Sequence, residues 1–214
     1  IIYYLTVYNE PMPQPAEPEG VDVEGILKGL YLLKEGSFEG VNPDARRAQL
    51  LASGVAVRWA LEAQELLKKD FGVVADVWSV TSWNELRRDG LAADEQAFLN
   101  PEGPQRVAWV TQQLAGRPGP VLAVSDYMRQ VQDQIINWVP GDFASLGADG
   151  FGFSDTRAAA RRFFHIDGPS LAVRTLQLLA KRGEVDPTWP AKAAQLYRLD
   201  DVTAGNSGST GGDA

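Results

Sequence analysis

A glycine-rich segment at residues 145–157, SLGADGFGFSDTR, contains the residue types that build phosphate-binding and catalytic loops. Glycines supply positive φ angles and allow close approach to the backbone. The segment lies where a predicted strand turns into a predicted helix, which is a common position for ligand-binding loops. Three glycines fall within six residues, namely Gly147, Gly150 and Gly152.

The other motifs that accompany a phosphate-binding or catalytic loop are absent from the sequence. Residues 149–152, DGFG, match a protein-kinase motif, but the kinase Gly-rich loop, strand lysine and H-R-D segment are missing. No basic residue lies inside the turn. The segment is therefore predicted to be a strand-to-helix bend, in which Phe151 or Phe153 packs onto a neighbour and Ser154 or Asp155 caps the next helix.

His165 is the only histidine in the chain. Any Ser-His-Asp arrangement would have to use it, and the chain cannot supply several histidine ligands to one metal. It lies at the predicted end of a helix, where a protonated imidazole interacts favourably with the last carbonyl groups. We therefore predict a structural or interface role for His165 rather than a catalytic one.

Acidic residues occur at several positions that could supply a general acid or base. Most fall on polar helix faces or in loops, where a solvated carboxylate is expected. A lone Gly54 between a strand and a helix does not make a dinucleotide-binding fingerprint. The sequence thus predicts no catalytic, cofactor-binding or metal-binding residue in this chain. The acidic residues considered are Glu62 with Glu65, Asp76, Asp94 with Glu95, and Asp200 with Asp201.

The composition is that of a globular domain of moderate size. The 214 residues are 44% hydrophobic, which is enough for a substantial core. The formal charge is -8 and no run of Lys and Arg occurs, so nucleic acid is not an expected partner. There is no cysteine, which excludes disulfides and thiolate catalysis and favours a cytoplasmic location. The apolar residues 1–7 are too few to span a membrane.

Strand and helix patterns alternate along the chain, which predicts an α/β fold with a mostly parallel sheet covered by helices. The first two predicted strands are expected to pair as a hairpin. Predicted strands cover residues 30–34, 48–52, 74–80, 121–125 and 144–146. Predicted helices cover residues 55–71, parts of 83–115, 127–138, 155–164, 168–182 and 187–199.

Two helices carry an apolar stripe at helical spacing, as expected for helices that cover a sheet. In the helix at 127–138 the stripe runs from Met128 to Trp138. Ser53 is positioned to cap the helix at 55–71. That helix is predicted to bury Ala56, Trp59, Ala60, Ala63, Leu67 and Phe71.

The chain is predicted to divide into four parts. Residues 1–8 read as the last strand of a preceding domain, which implies a fragment without its N-terminal part. Residues 9–20, NEPMPQPAEPEG, form a proline-rich linker. Residues 21–199 make up the main domain. Residues 200–214 are rich in Gly and Ser and are expected to be a disordered tail.

Several segments together resemble one family, the homodimeric pyruvate dehydrogenase E1 component of bacterial complexes. They follow the order of the family across nearly the whole chain. The loop departs from the family pattern at Phe153, where a basic residue is expected. The segments are YYLTVYNEPMPQPAEPEG at 3–20, DVWSVTSWNELRRDG at 76–90, SDYMR at 125–129, LGADGFGFSDTR at 146–157 and LAKRGEVD at 179–186.

The resemblance implies a transketolase-like C-terminal domain with four parallel strands and one antiparallel strand. The complete enzyme of this family uses thiamine diphosphate and Mg²⁺ to decarboxylate pyruvate, and it passes the acetyl unit to the lipoyl group of the E2 acyltransferase. The family's cofactor and substrate residues lie in upstream domains and have no matching positions here. The resemblance therefore implies a structural and assembly domain of a homodimeric enzyme, inactive by itself.

Two alternatives remain at this stage. One is the C-terminal domain of a transketolase or of another 2-oxoacid dehydrogenase, since such enzymes share the third domain. The other is a self-standing acidic α/β module that binds a protein or a small anion. The proline-rich linker and the isolated first strand argue against the second alternative.

Overall fold

The computed structural model describes residues 2–5, 7–8, 10–13 and 15–208, with the side chains of residues 206–208 excepted. The described residues form a five-stranded sheet with helices on both faces, which confirms the predicted fold class. The strands are β1 (Tyr31–Lys34), β2 (Arg47–Ala52), β3 (Val74–Ser79), β4 (Val121–Val124) and β5 (Phe143–Leu146).

The helices follow the predicted alternation in most places. They are α1 (Val23–Lys28), α2 (Ala56–Phe71), α3 (Trp83–Leu99), α4 (Trp109–Leu114), α5 (Gln130–Asp133), α6 (Arg157–Phe163), α7 (Gly168–Lys181) and α8 (Trp189–Leu196). Two segments, Ile136–Trp138 and Val202–Gly208, are 3-10 helices.

The strand order in the described sheet is β1-β3-β2-β4-β5. Strands β2, β3, β4 and β5 are parallel, whereas β1 runs antiparallel to β3. The predicted hairpin between β1 and β2 is therefore wrong. The physical reason is burial, because β3 is almost entirely buried and needs a central position, while the half-exposed β1 suits an edge.

The core has two halves, one on each face of the sheet. On one face α2 and α7 cover the alternate side chains of the parallel strands, such as Leu50, Val77 and Leu122. On the other face α3 and α4 cover the remaining side chains, among them Leu51 and Trp78. Helix α2 buries the predicted stripe except Phe71, which is half-buried.

A buried carboxylate in the middle of β3 was not expected to lie in the core. Asp76 has no exposed surface, and its two oxygens accept hydrogen bonds from Arg47 Nη2 at 2.6 and 2.7 Å. The Gly36 amide donates to the same carboxylate at 2.9 Å, and Arg117 Nη1 lies 3.7 Å away. This cluster joins β2, β3, the connection between β1 and β2, and the loop before β4.

Two local predictions on the elements are wrong. Ser53 does not cap α2, because its hydroxyl accepts a hydrogen bond from Trp83 Nε1 at 2.9 Å and thereby ties the end of β2 to α3. The predicted helix at 127–138 is instead the short helix α5 followed by a 3-10 turn. Of its stripe, Ile135 is buried but Met128 is 53% exposed, because the chain around Met128 belongs to the loop after β4.

The two ends of the chain also differ from expectation. The described residues of the segment 1–8 form no strand, and their apolar side chains are exposed. Pairing of that segment in a preceding domain stays a prediction. At the other end, Val202–Gly208 is ordered as a 3-10 helix against α6, because Asp201 accepts hydrogen bonds from the amide and hydroxyl of Thr203. Residues 209–214 of the predicted tail lie outside the described residues.

Replacing Asp76 by Ala is expected to lower the free energy of unfolding by about 3–5 kcal/mol. The reason is that Arg47, whose side chain is only 18% exposed, would lose its counter-charge. Urea unfolding followed by tryptophan fluorescence measures the loss. Glu85→Gln, which breaks an exposed pair with Arg88 within α3, should change stability by less than about 0.5 kcal/mol. Equal effects of the two substitutions would contradict the central role of Asp76.

Candidate functional site

The carboxyl ends of the parallel strands are where open α/β sheets bind ligands, at the point where the strand order reverses. In this sheet that point lies between β2 and β4. A crevice of about 720 Å³ occurs there, between the loops that follow β2, β3 and β4. Its polar lining is partly engaged already, because Ser82 caps α3 and Gln134 donates to Asn84. None of the lining residues carries a charge, so the crevice offers no charged group for acid and base chemistry or for pairing with an anion.

The glycine-rich segment after β5 is held against the loop that follows β4. A Cβ at Gly147 would fall well inside van der Waals contact of the Tyr127 carbonyl oxygen, so only glycine fits there. Asp149 accepts hydrogen bonds from Arg129, from the amide at 3.0 Å and from Nε at 2.6 Å. These bonds lower the pKa of the Asp149 carboxyl below its usual range. The loop therefore fixes the position of an arginine.

The predicted aromatic contact and helix cap are realised by particular residues. Phe153 stacks on Phe163 at a ring distance of 4.3 Å, whereas Phe151 is 96% exposed. Thr156, and not Ser154 or Asp155, caps α6 by accepting from the amide of Ala159. The cap is one residue later than predicted, because Asp155 instead accepts from the Thr156 amide.

His165 follows α6 and has a positive φ angle of 56°, which is unusual for a residue other than glycine. Its amide donates to the carbonyl of Arg162 and helps to end the helix, while its side chain is exposed. The imidazole borders a cavity of about 350 Å³ that Arg129 and Arg174 also line. The structure thus brings the only histidine close to the arginine that the glycine loop holds.

Arg129 and Arg174 were not singled out by the sequence. Arg129 lies in SDYMR, within the family-like segments, but nothing local relates it to residues 149 or 165. Arg174 lies in the middle of α7, where an arginine reads as an ordinary polar-face residue. No sequence signal predicts that these side chains border one cavity, since the proximity arises from the packing of α7 beside β5.

The acidic residues considered from the sequence are scattered and mostly paired. Glu65 accepts from Lys34 Nζ at 2.9 Å and Asp94 accepts from Trp138 Nε1 at 3.0 Å. Glu95 and Asp200 are exposed. Asp76 and Asp201 serve the structural contacts described above. No two of these residues come together as an acid and base pair among the described residues.

Glu62 is the acidic residue with a raised pKa. Burial raises the pKa of its carboxyl first, and the nearby charge of Asp167 adds to the effect. Asp167 is itself bound to Arg162 Nε at 2.6 Å and caps α7. The group lies where α2 meets the start of α7, so its environment reflects helix packing, and Asp167 also accepts a hydrogen bond from the amide of Ser170 at 3.1 Å.

No group of three or more His, Asp or Glu side chains in the described ranges is arranged to hold a metal ion. No helix in the described part of the chain has both the length and the apolar character needed to cross a bilayer.

Gly147→Ala is expected to lower the free energy of unfolding by about 2 kcal/mol, because the added methyl group meets backbone atoms that cannot turn away. Gly152→Ala is the matched control in the same loop, since open space surrounds that position. The control should stay within about 0.5 kcal/mol of the parent. Urea unfolding curves of both variants test this, and equal stabilities would show that the close approach at residue 147 is unimportant.

Residues 29–167 match the family model described as the transketolase-like TK C-terminal domain. The chain is also similar to proteins named pyruvate dehydrogenase E1 component. The protein from Mycolicibacterium smegmatis is 53% identical over 204 residues, which cover 95% of this chain and 22% of that protein. The protein from Escherichia coli strain K12 is 40% identical over 201 residues, with 94% and 22% covered.

A transketolase structure from Pichia stipitis is 23% identical, covers 78% of this chain and 20% of that chain, and has a TM-score of 0.48. The chain thus spans about a fifth of the length of the curated relatives that it matches. The family model covers more than half of the chain and includes the sheet from Tyr31 to Leu146. The chain belongs to the family of transketolase-like C-terminal domains.

Proposed function

We propose that this chain is the C-terminal part of a pyruvate dehydrogenase E1 enzyme, in which it serves packing and assembly and contributes no catalytic centre. The observation that carries the proposal is the identity of 53% with a protein of that name across 95% of the chain. In the complete enzyme, pyruvate is oxidatively decarboxylated and its acetyl unit passes to the lipoyl group of the E2 acyltransferase. The transketolase alternative has weaker support, since the named relatives at 40–53% identity are E1 components.

The complete enzyme uses thiamine diphosphate and Mg²⁺. The described residues of this chain do not fit that cofactor, because no three or more of their His, Asp or Glu side chains are grouped to hold a metal ion. The crevice at the carboxyl ends of the strands has no charged residue for a diphosphate. We therefore assign the cofactor to other parts of the enzyme and derive no catalytic step from residues of this chain.

The proposed domain division follows the sequence, with residues 1–8 as part of a preceding domain, 9–20 as a linker and 21–199 as the C-terminal domain. Contacts of residues in the first two of these parts support this division. Glu10 lies 2.7 Å from Arg161 and 3.4 Å from Arg157 on α6. Tyr8 donates to Asp126 at 2.7 Å, and burial together with this bond raises the pKa of the Tyr8 phenol.

The bond between Tyr8 and Asp126 lies at the carboxyl ends of the strands, since Asp126 follows β4. Five apolar side chains among the described residues of the segment 1–8 are 77–98% exposed, which supports a surface that other parts of the protein cover. We infer that the rest of the E1 chain packs against the carboxyl ends of the strands. Through it, the second subunit of a cytoplasmic homodimer would lie on the same side of the domain. The exposed side chains are Ile2, Tyr3, Tyr4, Leu5 and Val7.

A chimera tests the assembly role. The E1 component of M. smegmatis, with its matching C-terminal part replaced by this chain, is expected to form dimers and to turn over pyruvate in the presence of thiamine diphosphate and Mg²⁺. The same enzyme cut before that part is expected to do neither. Light scattering gives the mass, and reduction of an electron acceptor gives the activity. A folded chimera that stays monomeric and inactive would contradict the proposal.

The chimera also allows a matched pair of arginine variants. Arg161→Glu removes the ion pair with Glu10 and places two like charges together, so dimer formation or activity should fall at least about tenfold. Arg88→Glu changes an exposed arginine on α3 in the same way and should have little effect. Similar results for the two variants would show that the linker contact is not part of the assembly.

The isolated chain is expected to bind no thiamine diphosphate and to turn over no pyruvate, because we assign the cofactor site to other parts of the enzyme. Isothermal calorimetry with thiamine diphosphate and Mg²⁺ together measures the binding. The intact relative from M. smegmatis serves as the positive control. A saturable heat that depends on Mg²⁺ with the isolated chain would overturn this expectation.

A further inference from the structure

The cavity beside His165 lies between α7, the end of β5 and the loop that follows β4. It has a volume of about 350 Å³, enough for a small metabolite. Its walls combine basic and polar side chains with apolar ones. The lining residues include Arg129, His165, Ser170, Arg174 and the apolar residues Val173 and Leu199.

The basic side chains that line the cavity differ in their hydrogen-bond and ion-pair partners. Arg129 is held by Asp149 through its amide and Nε, which leaves its orientation fixed by the glycine loop. Arg174 donates to the side chain of Gln177 and has no carboxylate partner among the described residues. His165 is exposed at the rim. A guanidinium without a counter-ion beside a cavity is a ready partner for an oxyanion.

A buried hydroxyl gives a second, independent observation. Ser170 lines the same cavity, is 4% exposed, and its Oγ has no hydrogen-bond partner in the described part of the chain. A buried polar atom without a partner costs free energy, and a bound molecule or water commonly satisfies it. Three nearby carboxylates already accept hydrogen bonds, Asp149 from Arg129, Asp133 from Ser145 and Asp167 from the amide of Ser170.

We propose that Arg174, His165 and the Arg129 held by the glycine loop form a binding site for a small oxyanion, a carboxylate or phosphate, attached to a short aliphatic group. The guanidinium of Arg174 binds the charged end, and Val173 and Leu199 contact the aliphatic end. This site is separate from the function proposed above, because it requires only residues of this chain. If this chain bound no such anion, the proposed assembly role would be unaffected.

The single histidine makes the site directly observable. In a proton NMR spectrum of the 214-residue chain, whose sheet carries a core on each face, only His165 contributes imidazole Hε1 signals. Butyrate and inorganic phosphate are titrated separately at fixed pH, with NaCl adjusted to hold ionic strength constant. We expect a saturable shift with each, half complete in the low millimolar range, and tighter binding of butyrate because of the apolar wall.

Arg174→Gln is expected to weaken binding about tenfold or more, as the loss of a charge-assisted hydrogen bond does. Arg88→Gln is the matched control on α3 and should bind like the parent chain. His165→Asn, in which asparagine tolerates the positive φ angle, gives a second test by calorimetry and should also weaken binding.

Two outcomes would overturn the proposal. One is the absence of a saturable shift with either anion up to about 50 mM, far above the expected half-saturation. The other is equal weakening by Arg174→Gln and Arg88→Gln, which would indicate general charge attraction. Phosphate binding as tight as butyrate binding would overturn the part assigned to Val173 and Leu199.

Discussion

The ion pair between Asp76 and Arg47 is the interaction on which the arrangement of the strands depends. The carboxylate has no exposed surface, so every one of its partners must come from the protein. These partners lie on β2, in the connection after β1 and in the loop before β4. Trp78 on the same face donates to Gln49, and Arg117 lies 5.4 Å from its ring. A shift of β2 relative to β3 would separate Arg47 from Asp76 and leave a buried charge without its main partner, which makes this register strongly preferred.

Sequence patterns predicted the elements well where the signal is local. The apolar stripe of α2 and the strand-like run of β3 depend on spacing within one element, and both were confirmed. The predicted hairpin between β1 and β2 was wrong. The partner of β1 is β3, because β3 is buried and lies in the interior of the sheet. Likewise Ser53 had the sequence position of a cap, but Trp83, which is 30 residues away, binds its hydroxyl. Long-range contacts of this kind leave no periodic trace in the chain.

The glycine-rich segment shows that residues typical of a ligand-binding loop can have a structural role instead. Its residues suggested a ligand loop, and in the structure several of them have a structural role, such as the close approach at Gly147 and the salt bridge from Asp149 to Arg129. The basic groups that border a cavity lie elsewhere: Arg129 in the loop after β4, His165 after α6 and Arg174 on α7. His165 could be noted from the sequence, since it is unique, but its neighbours could not, because the chain must fold before Arg174 meets Arg129.

The antiparallel pairing of β1 with β3 has a consequence for biosynthesis. Tyr31 pairs with Ser79, so the strand that leaves the ribosome first must wait until β2, α2 and β3 have been made. Until then its backbone groups are open to pairing with other nascent chains. The parallel pairing of β2 with β3 depends on the same strand. At this edge of the sheet, the synthesis of β3 therefore determines when both earlier strands can pair.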